Sequence, residues 1–152
     1  MAGQMRIVVQ DAPFDFGAEC DAFAHAGENV GAVVTFAGIV RNSDSGDLNV
    51  MEIEHYPGMT EKALEKIATE AQARWALSDV LVIHRYGRMK PGDKIMMVAT
   101  ASRHRKDAFE AAEFLMDYLK SRAPFWKKEH GATGDAGWVA ARDEDEDALS
   151  RW

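Results

Sequence analysis

Between Lys106 and Arg122 the apolar residues Ala108, Ala112, Leu115 and Leu119 recur at helical spacing, with Phe109 and Met116 widening the stripe. Pro124 ends this helix, because proline lacks an N–H and disfavours helical geometry at Ala123 before it. One long amphipathic helix with a defined stop requires a partner surface for its stripe, and that requirement shapes the rest of the chain. The ends of the helix are unusual. Arg103, His104, Arg105 and Lys106 crowd its start, where the macrodipole is positive and each cation costs about 0.3–1 kcal/mol unless an anion sits among them. A helix start with free N–H groups and basic side chains can hold an anion, although solvated basic residues satisfy the same composition. At the far end, Lys120 occupies the last turn and suits the macrodipole whatever its role. Lys127 follows Phe125 and Trp126, where a lysine can also snorkel past an aromatic ring into water.

The partner surface is a sheet. Short strands are expected over Met5–Val9, Leu48–Tyr56, Val80–Tyr86, Lys94–Ala101 and Gly137–Ala141. Gly31–Val40 is nearly continuously apolar and β-branched, as expected of a central strand covered on both faces. Two further helices are expected. One is capped by Asp15 and reaches about His25; the other runs from about Thr60, its candidate cap, to Ala76. Ser102 reads as a cap for the third helix, and Met89–Asp93 as a turn. The order β-α-β-β-α-β-β-α-β predicts an α+β fold with helices packed on a mixed or antiparallel sheet; a ferredoxin-like pattern is the nearest generic arrangement.

The chain has 152 residues, enough for one domain and one sizeable core. Its net charge is −7, of which the run Asp143–Asp147 carries −5, leaving −2 elsewhere. That run reads as a solvated tail without packed structure, which divides the chain into a domain over 1–142 and an acidic C-terminal tail over 143–152. An acidic chain with a compact cationic set fits a small anion or one acidic chain end better than nucleic acid, which needs a broad basic face. No apolar run approaches a membrane span, and MAGQMRIVVQ lacks a signal-peptide core, so a cytoplasmic protein is expected.

The sole cysteine, Cys20, excludes an internal disulfide and a cysteine-built metal site, and it sits in an apolar helical stripe. The five histidines, His25, His55, His84, His104 and His130, show no ligand spacing, and phosphate-binding glycine motifs are absent. No metal and no cofactor are therefore expected. Glu52 and Glu54 share a strand face and read as solvent-facing, with paired acids as the alternative. What remains is a cationic set: Arg41, His104, Arg105, Lys120, Lys127 and Arg142.

The segments GAVVTFAGIVRN (31–42), EHYPGMTEKAL (54–64), VIHRYGRMKPGD (82–93), HRKDAFEA (104–111) and MDYLKSRAPFWKKE (116–129) carry a resemblance to the catalytic (large) subunit family of molybdopterin synthase. It extends from Ile7 to Trp152. The resemblance implies an α/β hammerhead-type α+β fold with an additional small antiparallel sheet, in place of the ferredoxin-like pattern. It also implies a sulfurtransferase that converts cyclic pyranopterin monophosphate (precursor Z) to the dithiolene of molybdopterin, in molybdenum cofactor biosynthesis. Sulfur would arrive as a thiocarboxylate on the C-terminal glycine of a small ubiquitin-like carrier, with a central homodimer of this chain inside a heterotetramer. The residues agree: sulfur transfer normally needs a thiolate, and with only Cys20 available the sulfur must come from outside the chain. By position, the family's catalytic lysines fall on Lys120, expected at the thiocarboxylate, and Lys127, expected at the pterin. Arg41, His104 and Arg105 match its anion-holding positions, and Arg142, in the segment WVAAR, is a further candidate for the pterin phosphate. Two other classes remain open from the residues: a non-catalytic module that holds an acidic peptide end, and a nucleic-acid-binding domain.

Overall fold

A computed structural model describes all residues except 1, 2, 26, 44, 45, 132, 133 and 140–142. Eight strands and four helices follow in the order β1 (Gln4–Gln10), α1 (Phe16–Ala24), β2 (Ala32–Ile39), β3 (Leu48–His55), α2 (Met59–Arg74), β4 (Leu77–Arg85), β5 (Gly87–Met89), β6 (Lys94–Ser102), α3 (Arg105–Ser121), β7 (Phe125–Gly131), β8 (Gly134–Val139) and α4 (Asp143–Ala148). They build two sheets. The first has the order β1-β4-β6-β2, with β1 parallel to β4 and the other pairs antiparallel. The second, smaller sheet is wholly antiparallel in the order β5-β3-β7-β8. This is the expected α+β class with a mixed sheet and a small antiparallel one; a ferredoxin-like arrangement would have held its strands in one sheet.

Alternation along the two central strands sorts the core into two layers. Val80 and Val82 on β4, with Met96 and Val98 on β6, face α2 and α3 and pack against Leu64, Ile67, Phe114 and Leu115. Leu81, Ile83, Met97 and Ala99 face the opposite way, onto Phe23 of α1. The same parity sends His84 to the α3 side, which matters for the site below. Buried Thr100 is satisfied there, donating to the Ala108 carbonyl at 2.7 Å.

Several local expectations hold, and several are corrected. Asp15 caps α1, accepting from the Ala18 N–H at 3.0 Å. Lys90-Pro91-Gly92-Asp93 is a turn closed by Asp93 N–H to the Lys90 carbonyl, and Gly92 takes the positive φ of 95° that such a turn reserves for glycine. Thr60 does not cap α2: Gly58 stands at the cap, while the Thr60 hydroxyl accepts from the Tyr56 N–H and donates to the Pro124 carbonyl, tying α2 to the segment after α3. Ser102 is likewise not the cap of α3. It is the buried last residue of β6 and donates to the carbonyl of His104, which holds the cap position. β2 is an edge strand rather than a central one, and Phe36 and Ile39 on it are 41% and 54% exposed.

The acidic run is the largest correction. Instead of a solvated tail, Asp143–Ala148 is a helix followed by a 3-10 turn over Leu149–Arg151. The segment is anchored. Glu146 accepts from Arg122 at 3.0 Å, and Arg151 reaches Asp117 at 2.6 Å. The Trp152 indole stands edge-on to Trp75 and Phe114 and donates to Asp117. Among the described residues no helix is long and apolar enough to cross a membrane.

Candidate active site

The site forms where α3 turns into β7. α3 ends at Ser121, and Ala123-Pro124 carries the chain straight into a strand, so the last helical turn and the first strand residues face one another. Strand alternation then decides which side chains enter the gap. Phe125 and Lys127 point one way; Trp126 points the other, edge-on to Tyr56 at 4.6 Å. Lys127 therefore does not snorkel past Trp126. It lines a cavity of about 130 Å³ together with Lys120 and the apolar side chains of Phe36, Ile39, Met96, Met116, Leu119 and Phe125. The exposed apolar residues of edge strand β2 are thus walls of this cavity.

The two lysines differ in setting. Lys120 is exposed at the helix end, whereas Lys127 is half-buried. Burial lowers the Lys127 pKa from 10.5 to about 8, helped by the Lys120 charge and opposed by Asp145 of α4. An amine in that range can both hold and release a proton near neutral pH.

A third polar group lines the cavity, and sequence reasoning missed it. His84 is buried, with its ring stacked on Phe125 at 3.7 Å and 15°. His55 lies against Tyr86 at 4.1 Å and 6.5 Å from Phe125, extending the layer of rings. Burial is the main reason the His84 pKa falls to about 3, so its ring is neutral. The available signal was its parity with Val80 and Val82 in an otherwise apolar strand, which places a lone histidine on the core side. Neighbouring Arg85 is also buried, and both its Nε and Nη2 donate to the Asp11 carbonyl, at 3.1 and 2.9 Å.

The anion candidates do not all join this cavity. Ile39, a cavity residue, pairs with Lys94 at the start of β6, and Arg41 follows two residues later at that same end. His104 and Arg105 lie beyond the other end of β6, exposed, at the start of α3. The 15 residue steps of α3 from Arg105 to Lys120 span about 22 Å at 1.5 Å per step. One chain thus gathers Lys120 and Lys127, brings Arg41 to the same end, and holds His104 and Arg105 a helix length away. Arg142 lies outside the described residues. Glu52 is not simply solvated: it accepts from His130 at 3.1 Å and sits 3.7 Å from Arg88.

Comparison with known proteins gives one consistent picture. Residues 9–122 match the family described as MoaE protein. The chain is 64% identical over 148 residues to the molybdopterin synthase catalytic subunit of Cereibacter sphaeroides, covering 97% of this chain and all of that protein. It is 53% identical over 150 residues to the subunit of the same name from Escherichia coli K12, covering 98% and 99%. Among solved structures, the molybdopterin biosynthesis MoaE protein from Burkholderia ambifaria superimposes with a TM-score of 0.83 at 51% identity, covering 98% of each chain.

Proposed function

The chain belongs to the MoaE protein family, and on that premise we propose that it is the catalytic subunit of a molybdopterin synthase. It transfers sulfur from the C-terminal thiocarboxylate of a small ubiquitin-like carrier to cyclic pyranopterin monophosphate, forming the dithiolene of molybdopterin. One observation carries the assignment of the chemistry to residues: Lys120 and Lys127 share a single cavity, one exposed and one with a pKa lowered to about 8. Lys120 meets the thiocarboxylate as a fixed cation. Lys127 works at the pterin, where a proton must move as each sulfur adds. In each round a C–S bond forms to the pterin side chain as a C–O bond there breaks, with the phosphate oxygen or water leaving; a further water then cleaves the bond between sulfur and the carrier carbonyl. Sulfur stays on the pterin and the carrier leaves as a carboxylate, so two rounds supply the two sulfurs. No step draws on a thiol of this chain, in keeping with Cys20 lying against the α1 core layer, far in sequence from both lysines.

Arg41, His104, Arg105 and Arg142 hold the phosphate of the pterin. Because about 22 Å of helix separates Arg105 from Lys120, His104 and Arg105 serve the cavity of a second copy across a central homodimer, with one carrier at each end of the resulting heterotetramer. Residues 1–142 form the catalytic domain, to which 143–152 are appended, and the enzyme works in the cytoplasm without a resident cofactor. The test is incubation with precursor and carrier, reading dithiolene product. Product from thiocarboxylated carrier and none from the carboxylate form is expected; complex formation without product would instead favour a non-catalytic binding module.

A further inference from the structure

The cavity holds an acceptor that neither lysine uses. The His84 Nδ1 lies 2.8 Å from the Arg85 carbonyl. A carbonyl can only accept, so Nδ1 carries the hydrogen and Nε2 is left with a lone pair. The ring lines the cavity, and among the described residues no side chain or backbone group donates to Nε2. Lys127 and Lys120 act on the ring through their charges. Stacking on Phe125 and the Nδ1 bond together fix the ring plane, so the acceptor has a set direction. Nε2 faces the open space of the cavity, where a donor from outside the chain can reach it. The matching donor here belongs to whatever enters the cavity.

The cavity therefore asks for two things at once: an anion for the lysines and an N–H for His84. A chain end without a side chain is the slimmest group that meets both needs. The last residue of a glycine-ended peptide offers both features, an acyl anion and, one Cα away, a backbone N–H.

Resting on the function proposed above, we propose that His84 Nε2 accepts the last peptide N–H of the carrier's C-terminal tail, fixing the tail while Lys120 holds its anionic end. His84 is then a carrier-binding residue that sets which face of the thiocarboxylate meets the pterin. The neutrality of the ring supports this role, because a protonated imidazole would repel the N–H.

The test is a double-mutant cycle on carrier affinity. His84→Phe keeps a flat ring for Phe125 and deletes the acceptor; a carrier ending in N-methylglycine deletes the donor and keeps the anion. Each change alone is expected to weaken binding of the carboxylate-ended carrier about tenfold, and the two together little more than either alone. The KM for the pterin should stay within twofold in His84→Phe, and His84→Gln, which keeps an acceptor, should recover part of the loss. Losses that multiply, or an intact carrier affinity with a raised pterin KM, would overturn the assignment. If His84→Phe fails to fold, the N-methylglycine carrier on wild type and His84→Gln decide alone: undiminished affinity for that carrier refutes the bond. Absence of dithiolene product from wild type would refute the enzymatic reading, while the binding cycle would still report on His84.

Discussion

Lys127 shows how one residue's chemistry is set by its surroundings. Burial and the Lys120 charge both disfavour its ammonium form. Replacing Lys120 with methionine removes the second cause and keeps the apolar stem, so the Lys127 pKa should rise above 8. Amine acylation at Lys127, followed by mass spectrometry as pH is varied, should then show its inflection at higher pH than in wild type; an unmoved inflection would exclude coupling between the lysines. The sign for stability follows. Between about 8 and 10.5 the unfolded chain holds a proton on Lys127 that the folded chain does not, so this group makes stability rise with pH across that window. His84 acts the same way lower on the scale. Its folded pKa of about 3 lies below 6.5, so stability falls as pH drops through 6.5 toward 3. In His84→Phe the decline in thermal midpoint over that range should be shallower; an identical decline would mean His84 is not buried neutral. The two lysines are legible in the sequence from their place around a proline stop. His84 is not, because a lone histidine has no spacing to recognise and only strand parity reveals its direction.

The elements that sequence reasoning missed or misplaced share a cause: their local pattern serves a neighbour. β7, FWKKEHG, lacks clean alternation because it runs between β3 and β8 while delivering Phe125 and Lys127 to the cavity. β2 looks like a buried strand because its outer residues wall that cavity at a sheet edge. α4 reads as a disordered acidic run from composition, since nothing local announces that Arg122, Asp117, Trp75 and Phe114 receive it. These contacts give a stability prediction. Trp152→Ala removes two edge-on ring contacts and the bond to Asp117, and should cost about 2 kcal/mol in urea unfolding. A loss within ±0.5 kcal/mol would mean the C-terminal segment does not dock. Asp145 adds a link to the site, because it raises the Lys127 pKa against burial.

At the scale of the whole molecule, α3 separates two groups of cations. Its start carries His104 and Arg105, and its end carries Lys120 beside the cavity. The three longer helices and the strands around them were readable from periodicity and punctuation; β5, β7 and the division into two sheets were not, because strand pairing over long range leaves no local mark. If the start of α3 serves the partner's cavity, mixing inactive Arg105→Ala and Lys127→Ala proteins under subunit exchange should restore about a quarter of wild-type activity. That fraction follows from half of the dimers being hybrid, each with one intact site of two. No recovery would place all groups of a site in one chain. The most direct test of the central claim is single-turnover sulfur transfer with thiocarboxylated carrier and precursor, comparing wild type with Lys120→Ala and Lys127→Ala. Each substitution is predicted to cut the rate of dithiolene formation at least about a hundredfold in a folded protein. Near-normal product with both would contradict it.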